Sequence, residues 1–131
     1  MNIEVRVLAW TVVLGLVQIV AASHAASLQR GYQWSASARD GEVAPLVGVA
    51  GRLDRALRNF SETFPLFAAL VLAAQAVGRH SGLTESGAIL YFMARLAYLP
   101  LYAFGVPLVR SLVWSIAAVG MLLLLVALLW E

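Results

Sequence analysis

The chain has 131 residues, of which 62% are hydrophobic and only 12% are charged. Soluble domains carry about 25% charged residues, so this composition predicts an integral membrane protein with a single domain over residues 1–131. The formal net charge of +2, without any run of basic residues, argues against a nucleic-acid partner. The absence of cysteine excludes disulfides, thiolate metal sites and a protein thiol nucleophile.

Four apolar stretches are long enough to cross a membrane. Hydrocarbon about 30 Å thick requires about 20 helical residues, and four stretches reach that length, at about 5–27, 49–77, 83–104 and 108–130. The short turn at residues 78–82 is typical of antiparallel neighbours in a bundle. We therefore predict an all-α fold, an integral membrane four-helix bundle.

The first stretch has an alternative interpretation as a cleaved signal peptide, because small residues occupy positions 21–26. Its apolar run is longer than the roughly 7–15 residues that are usual in a signal peptide, and the residues at its start include Glu4 as well as Arg6. Both features favour a retained transmembrane helix.

Arginine residues are distributed unevenly between the two ends of the predicted bundle. Arg6 and Arg79 lie at one end, whereas the other end carries Arg30, Arg39, Arg52, Arg55, Arg58 and Arg110. Cytoplasmic loops of membrane proteins are enriched in basic residues. The bias predicts that the first and third loops are cytoplasmic and that both termini lie outside.

The second stretch places three polar side chains on one helical face. Arg55, Asn59 and Glu62 have the spacing i, i+4 and i+7, which brings them together on a helix. A charged group at bilayer depth costs about 2.5–3.5 kcal/mol on insertion scales, so such groups usually mark a functional site. We interpret this face as functional.

The third stretch carries a second polar face, and Arg110 stands at the start of the fourth. Arg95, Tyr98 and Tyr102 have the spacing i, i+3 and i+7. Antiparallel packing of the second and third helices would join both faces in one cationic cleft containing a single carboxylate. The alternative is that Glu62 merely pairs with an arginine to hold the bundle together. Such pairs contribute only about 0.6–2 kcal/mol in membranes, so the convergence of several polar groups favours a site.

The remaining polar and aromatic residues have simpler interpretations. Arg52, Asp54 and Arg58 are expected on a solvated or headgroup face, with Asp54 and Arg58 forming an i,i+4 pair. Four aromatic residues are expected to serve in packing or at the membrane interface: Tyr91, Trp10, Trp114 and Trp130. His24 and His80 stand apart from other ligand types, so no metal site is predicted.

Two motifs resemble the MAPEG family, the membrane-associated proteins of eicosanoid and glutathione metabolism. The second helix of its leukotriene-forming and microsomal glutathione transferase members carries Arg-x-x-x-Asn-x-x-Glu, often followed by Phe-Pro-Leu-Phe, and residues 55–67 reproduce that string. Residues 94–102 are similar to the Ala-Arg-x-x-x-x-x-x-Tyr pattern of the third helix. The chain departs from some members by having Thr63, rather than tyrosine, directly after the motif glutamate.

The resemblance implies a homotrimer of four-helix subunits that bind glutathione at their interfaces from the cytoplasmic side. For a small member of bacterial type, it also implies a location in the bacterial inner membrane. Family members conjugate glutathione to lipophilic electrophiles, reduce lipid hydroperoxides or isomerise a lipid peroxide. The glutathione site implied by analogy consists of Arg55, Asn59, Glu62, Arg95, Tyr98 and Tyr102. Arg110 is implied as the catalytic residue, stabilising the glutathione thiolate at the start of the fourth helix.

Two other functions compete with the enzyme. One is a non-catalytic lipid-binding or scaffold member of the same family, which would be favoured by loss of the polar residues of the second helix; all three are present here. The other is a small multidrug exporter, which relies on a membrane-embedded glutamate in its first helix. Beyond Glu4, the first helix contains no acidic residue, which argues against transport.

Overall fold

The computed structural model describes residues 1–130, except for the side chain of Val109. The described chain forms five α-helices and no strand: α1 (Ile3–Arg30), α2 (Tyr32–Ala36), α3 (Gly48–Ala76), α4 (Gly82–Ala103) and α5 (Val109–Trp130). The prediction of an all-α protein is therefore confirmed. The four long helices begin and end within three residues of the expected bounds. The five-residue helix α2, within the first loop, was not expected.

Local signals in the sequence explain where the helices begin. The Asn2 side chain accepts a hydrogen bond from the backbone N–H of Val5 at 3.1 Å and so caps α1. Ser81 and Thr84 form a reciprocal capping box at the start of α4. Gly31, with φ of 94°, separates α1 from α2, and its N–H donates to the Ser27 carbonyl at 2.7 Å. A positive φ of this kind favours glycine.

Helices α4 and α5 pack closely at a pair of glycines. A Cβ atom built on Gly87 would lie 2.6 Å from the Gly120 carbonyl oxygen, and one built on Gly120 would lie 2.7 Å from the Gly87 carbonyl oxygen. Helices approach this closely only where both carry small residues. The two glycines therefore fix the contact between α4 and α5.

The core lies between α3, α4 and α5. The Phe67 and Tyr91 rings are stacked with centroids 4.1 Å apart, and the Tyr91 hydroxyl is hydrogen-bonded to Thr63 Oγ1 at 2.8 Å. Tyr91 is thus a packing residue, as expected. Thr63, which stands where some MAPEG proteins have tyrosine, satisfies the buried hydroxyl of Tyr91.

Different contacts join the helices at each end of the molecule. At one end, Asn2 Nδ2 lies 2.6 Å from His80 Nε2. At the other, Arg52 Nε donates to the Ala103 carbonyl at 2.8 Å, joining the start of α3 to the end of α4. The two helices therefore run antiparallel, and the first loop lies at the same end as the connection between α4 and α5.

Large apolar side chains cover much of the outer surface. Among the described residues, two helices are long and apolar enough to cross a membrane, over Ile3–Arg30 and Arg110–Trp130. Helices α3 and α4 contain the polar faces described above, which lower their mean hydropathy. Four spans were expected, and length and composition identify two of them as candidates.

Candidate functional site

A cleft opens at the end of the molecule where α3 begins and α4 ends. Its volume is about 160 Å³. Six of its lining residues were expected in the site: Arg55, Asn59, Glu62, Tyr98, Tyr102 and Arg110. Arg58, the seventh, was not expected there. The spacing within α3 places its residues on one face, and antiparallel packing against α4 adds the tyrosines.

Arg95 lies beneath the cleft rather than in its wall. Its side chain is only 1% exposed, and Nη1 donates to Asn59 Oδ1 at 2.6 Å. The guanidinium carbon also lies 4.4 Å from the centre of the Tyr98 ring. Within residues 1–130, Nε and Nη2 of Arg95 are buried without a hydrogen-bond partner. A buried guanidinium with two unused donors favours the arrival of an anion.

Arg55 and the two tyrosines form a second set of contacts. Arg55 Nε donates to the Tyr102 hydroxyl at 3.0 Å. The rings of Tyr98 and Tyr102 are stacked, with centroids 5.2 Å apart and planes inclined by 10°. Contacts therefore run without a break from Arg55 through both tyrosines to Arg95 and Asn59, so these residues form one connected constellation.

Glu62 is exposed in the wall of the cleft. The described part of the chain contains two ion pairs, Asp54–Arg58 and Glu4–His80, and neither involves Glu62. The alternative in which Glu62 pairs with Arg55 or Arg95 to hold the bundle together is thus not observed. Glu62 is exposed and lines the cleft, so its carboxylate is accessible to a ligand.

The neighbouring polar residues differ in part from expectation. Asp54 and Arg58 form the predicted i,i+4 pair at 3.0 Å. Arg52 makes a contact that was not expected, because its side chain caps the carboxyl end of α4 through the Ala103 carbonyl. Arg58 lines the cleft and also forms the ion pair with Asp54. Its position next to Asn59 in the sequence could have indicated that it lies near the site.

A second cavity of about 280 Å³ adjoins the cleft along α5. It shares Asn59, Glu62 and Arg110 with the cleft and adds Ser111, Trp114 and Ser115. Sequence analysis assigned Trp114 to packing or to the membrane interface and did not consider the serines. Their spacing after Arg110, at i+1, i+4 and i+5, could have suggested a shared face. Arg110 lines both cavities.

A buried carboxylate at the opposite end of the molecule was also missed. Glu4 is 0% exposed, and its Oε1 accepts from Thr84 Oγ1 at 2.6 Å and lies 3.1 Å from His80 Nδ1. The residues lie 76 to 80 positions apart, so no local pattern connects them. Among the described residues, no group of three His, Asp or Glu side chains could hold a metal ion.

Comparison with known proteins gives one family. The family model described as "MAPEG family" matches residues 7–130, nearly the whole chain. A search of curated proteins finds no matching protein.

Proposed function

Because the chain belongs to the MAPEG family, whose members are membrane-associated, we propose that it is a membrane-bound, glutathione-dependent transferase or peroxidase. Its second substrates would be lipophilic electrophiles or lipid hydroperoxides drawn from the bilayer. The family includes both glutathione transferases or peroxidases and non-catalytic members. The chemistry of this chain's own cleft favours the enzymes.

The observation that carries the proposal is the unpartnered guanidinium of Arg95 beneath an arginine-rich cleft. Three further arginines line the cleft, whereas Glu62 is its only acidic lining residue. Glutathione carries two carboxylates and one ammonium group, so its charges complement this arrangement. Hydrogen bonds between guanidinium and carboxylate are about twice as strong as neutral ones.

The family analogy and the geometry suggest how glutathione is oriented. Glu62 and Asn59 would hold the γ-glutamyl end, with the Glu62 carboxylate accepting from the ammonium group. Arg55, Arg95 and the two tyrosines would hold the carboxylates and the peptide backbone. Tyr102 already accepts from Arg55, so its hydroxyl proton remains available to a substrate oxygen.

Arg110 is proposed to stabilise the thiolate of bound glutathione. A free thiol with a pKa near 8.5 is mostly protonated at neutral pH, and a neighbouring guanidinium lowers that pKa. The thiolate sulfur would then attack the electrophilic carbon, forming the C–S bond as the leaving group departs with its electron pair. With a lipid hydroperoxide, the thiolate sulfur attacks the terminal oxygen, the O–O bond breaks, and the lipid alcohol leaves. A second glutathione then condenses with the resulting glutathione sulfenic acid to give glutathione disulfide and water.

Assembly and orientation belong to the same proposal. We propose a homotrimer of four-helix subunits in a bacterial inner membrane, with the cleft facing the cytoplasm and both termini outside. The arginine bias supports this orientation, since most arginines lie at the end that carries the cleft. An anion that completes Arg95 could come from glutathione held between subunits.

Calorimetry on the detergent-solubilised protein tests the proposal. We expect saturable glutathione binding by the wild type and by the control Arg6→Gln, whose exposed arginine lies far from the cleft. Glu62→Gln and Arg95→Ala are expected to lose that binding. Turnover of a chloronitrobenzene with glutathione then distinguishes a transferase from a non-catalytic scaffold protein. Absence of binding at millimolar glutathione would leave the non-catalytic, lipid-binding alternative.

A further inference from the structure

Arg52 differs from the other two arginines in the first half of α3. Arg55 and Arg58 line the glutathione cleft, whereas Arg52 does not. The side chain of Arg52 is half-buried, and its Nε donates to the Ala103 carbonyl at 2.8 Å. Arg52 belongs to neither ion pair of the described chain. Its charge is therefore directed to the carboxyl end of α4, where the helix dipole favours a cation.

The way in which α4 ends explains why the Ala103 carbonyl takes a donor from another helix. The last four carbonyl groups of an α-helix lack regular intrahelical partners, and in α4 they belong to residues 100–103. The N–H groups of residues 104–106 donate to the carbonyls of residues 100–102 at 3.0–3.1 Å, in a Schellman motif with Gly105 at a φ of 73°. The fourth carbonyl, that of Ala103, is satisfied by Arg52.

The Arg52 guanidinium also packs against the link between α4 and α5. A Cβ atom built on Gly105 would lie 3.7 Å from each of Nε, Cζ and Nη1 of Arg52. These three atoms share the guanidinium plane, so the flat face of the group lies against the Gly105 backbone. The hydrogen bond to Ala103 and this contact together fix the chain on both sides of the helix end.

The link that follows is short and conformationally restricted. Residues 106–108 separate Gly105 from α5. The ring of Pro107 fixes its own φ, and Leu108 has a φ of 65°, which non-glycine residues rarely adopt. The Leu108 carbonyl then accepts a backbone hydrogen bond from the first turn of α5. A displacement at Gly105 is therefore passed on to that first turn, which contains Arg110.

We propose that Arg52 is a positioning residue of the enzyme, which holds the end of α4 and the link to α5 so that Arg110 lies beside the sulfur of bound glutathione. The inference rests on the proposed glutathione function and adds a residue that does not touch the substrate. Arg55 contacts Tyr102 inside the cleft, where glutathione can displace it, whereas the contact of Arg52 with Ala103 involves no residue of the cleft. A displacement of about 1 Å near a reacting group can lower a rate about a hundredfold.

Hydrogen exchange measured by mass spectrometry on the detergent-solubilised protein tests the contact without any ligand. Arg52→Met removes the guanidinium but keeps a long, unbranched side chain. We expect residues 104–113 to exchange about tenfold faster in this variant, as for the loss of one hydrogen bond to a charged group. Exchange in α1 is expected to stay unchanged. Arg52→Lys retains a donor for the Ala103 carbonyl and should recover part of the protection.

Titration of the thiolate absorbance of bound glutathione against pH tests the consequence for Arg110. In Arg52→Met we expect the midpoint to rise by about 0.5–1, a fraction of the shift for complete removal of a neighbouring cation. We also expect kcat at neutral pH to fall about tenfold while glutathione affinity changes less than about twofold. Glu4→Ala, which weakens the fold at the opposite end, should leave the midpoint unchanged, as should the charge control Arg6→Met.

Two results would overturn the proposal. One is wild-type exchange over residues 104–113 in folded Arg52→Met. The other is an unchanged thiolate midpoint in Arg52→Met, or a shift that Glu4→Ala reproduces, because general destabilisation would then suffice. If Arg52→Met does not fold, Arg52→Gln is judged by the same criteria. Faster exchange in the variant, combined with failure of the wild type to bind glutathione, would uphold the Arg52 contact and defeat the glutathione function.

Discussion

Arg95 Nη1 donates to Asn59 Oδ1 at 2.6 Å, and this hydrogen bond joins the polar faces of α3 and α4 beneath the cleft. It uses one of the five N–H donors of the guanidinium and leaves Nε and Nη2 without a partner within the described residues. Asn59 therefore orients the guanidinium while leaving its charge uncompensated. The arrangement is suited to a ligand that brings a carboxylate.

Replacing Arg95 by lysine separates charge from geometry. Lysine preserves the positive charge but cannot reproduce the planar fork that donates to Asn59 and, in the proposed complex, to a carboxylate of glutathione. We expect glutathione affinity to fall by about tenfold, in line with the loss of about 1.5 kcal/mol for a hydrogen bond to a charged group. Calorimetry measures the change, with Arg6→Lys as the control. Equal affinities for wild type and Arg95→Lys would show that charge alone suffices there.

The Arg110→Ala variant tests thiolate stabilisation. If Arg110 lies beside the thiol of bound glutathione, its removal should raise the pKa of that thiol by about 1–3. The pH profile of turnover is then expected to move to higher pH. The ultraviolet absorbance of the thiolate, titrated against pH, measures that shift directly. Glutathione affinity is expected to change less than turnover. An unchanged titration midpoint in the variant would remove Arg110 from this role.

The crossing of α4 and α5 should tolerate no added methyl group. In Gly120→Ala, the new Cβ would lie 2.7 Å from a carbonyl oxygen and 2.8 Å from the Tyr91 amide nitrogen, and backbone atoms cannot move aside without separating the helices. We expect a loss of about 1–3 kcal/mol in unfolding free energy. Thermal unfolding in detergent measures it. Gly82→Ala is the matched control, because nothing lies within 4 Å of its Cβ position.

The buried Glu4 carboxylate is expected to stabilise the fold without contributing to glutathione binding. Glu4→Ala leaves the Thr84 hydroxyl without its carboxylate acceptor and removes the contact with His80. The loss of a buried hydrogen-bond partner should lower the free energy of unfolding by about 1–3 kcal/mol. Chemical denaturation measures the change beside the exposed-loop control Glu42→Ala. A large loss of glutathione affinity in folded Glu4→Ala would contradict this separation of roles.

Much of the candidate site could be anticipated because helical periodicity is local. Spacings of three, four and seven residues decide which side chains share a face, and they placed Arg55, Asn59 and Glu62 together before any packing was known. The contact between Arg52 and the Ala103 carbonyl was missed, since it joins residues 51 positions apart. The contribution of Ser111 and Ser115 to the second cavity was also missed, although their spacing after Arg110 is local.

The sequence by itself determined the all-α class, the positions of the long helices and the composition of each polar face, because hydropathy and the 3.6-residue period act over short distances. Only the tertiary structure decided how those faces meet. It placed Arg95 beneath the cleft rather than in its wall and brought Glu4 to His80 and Thr84. The physical reason is that the rotation of each helix about its axis is set by close packing, such as the contact between Gly87 and Gly120, which depends on both partners at once.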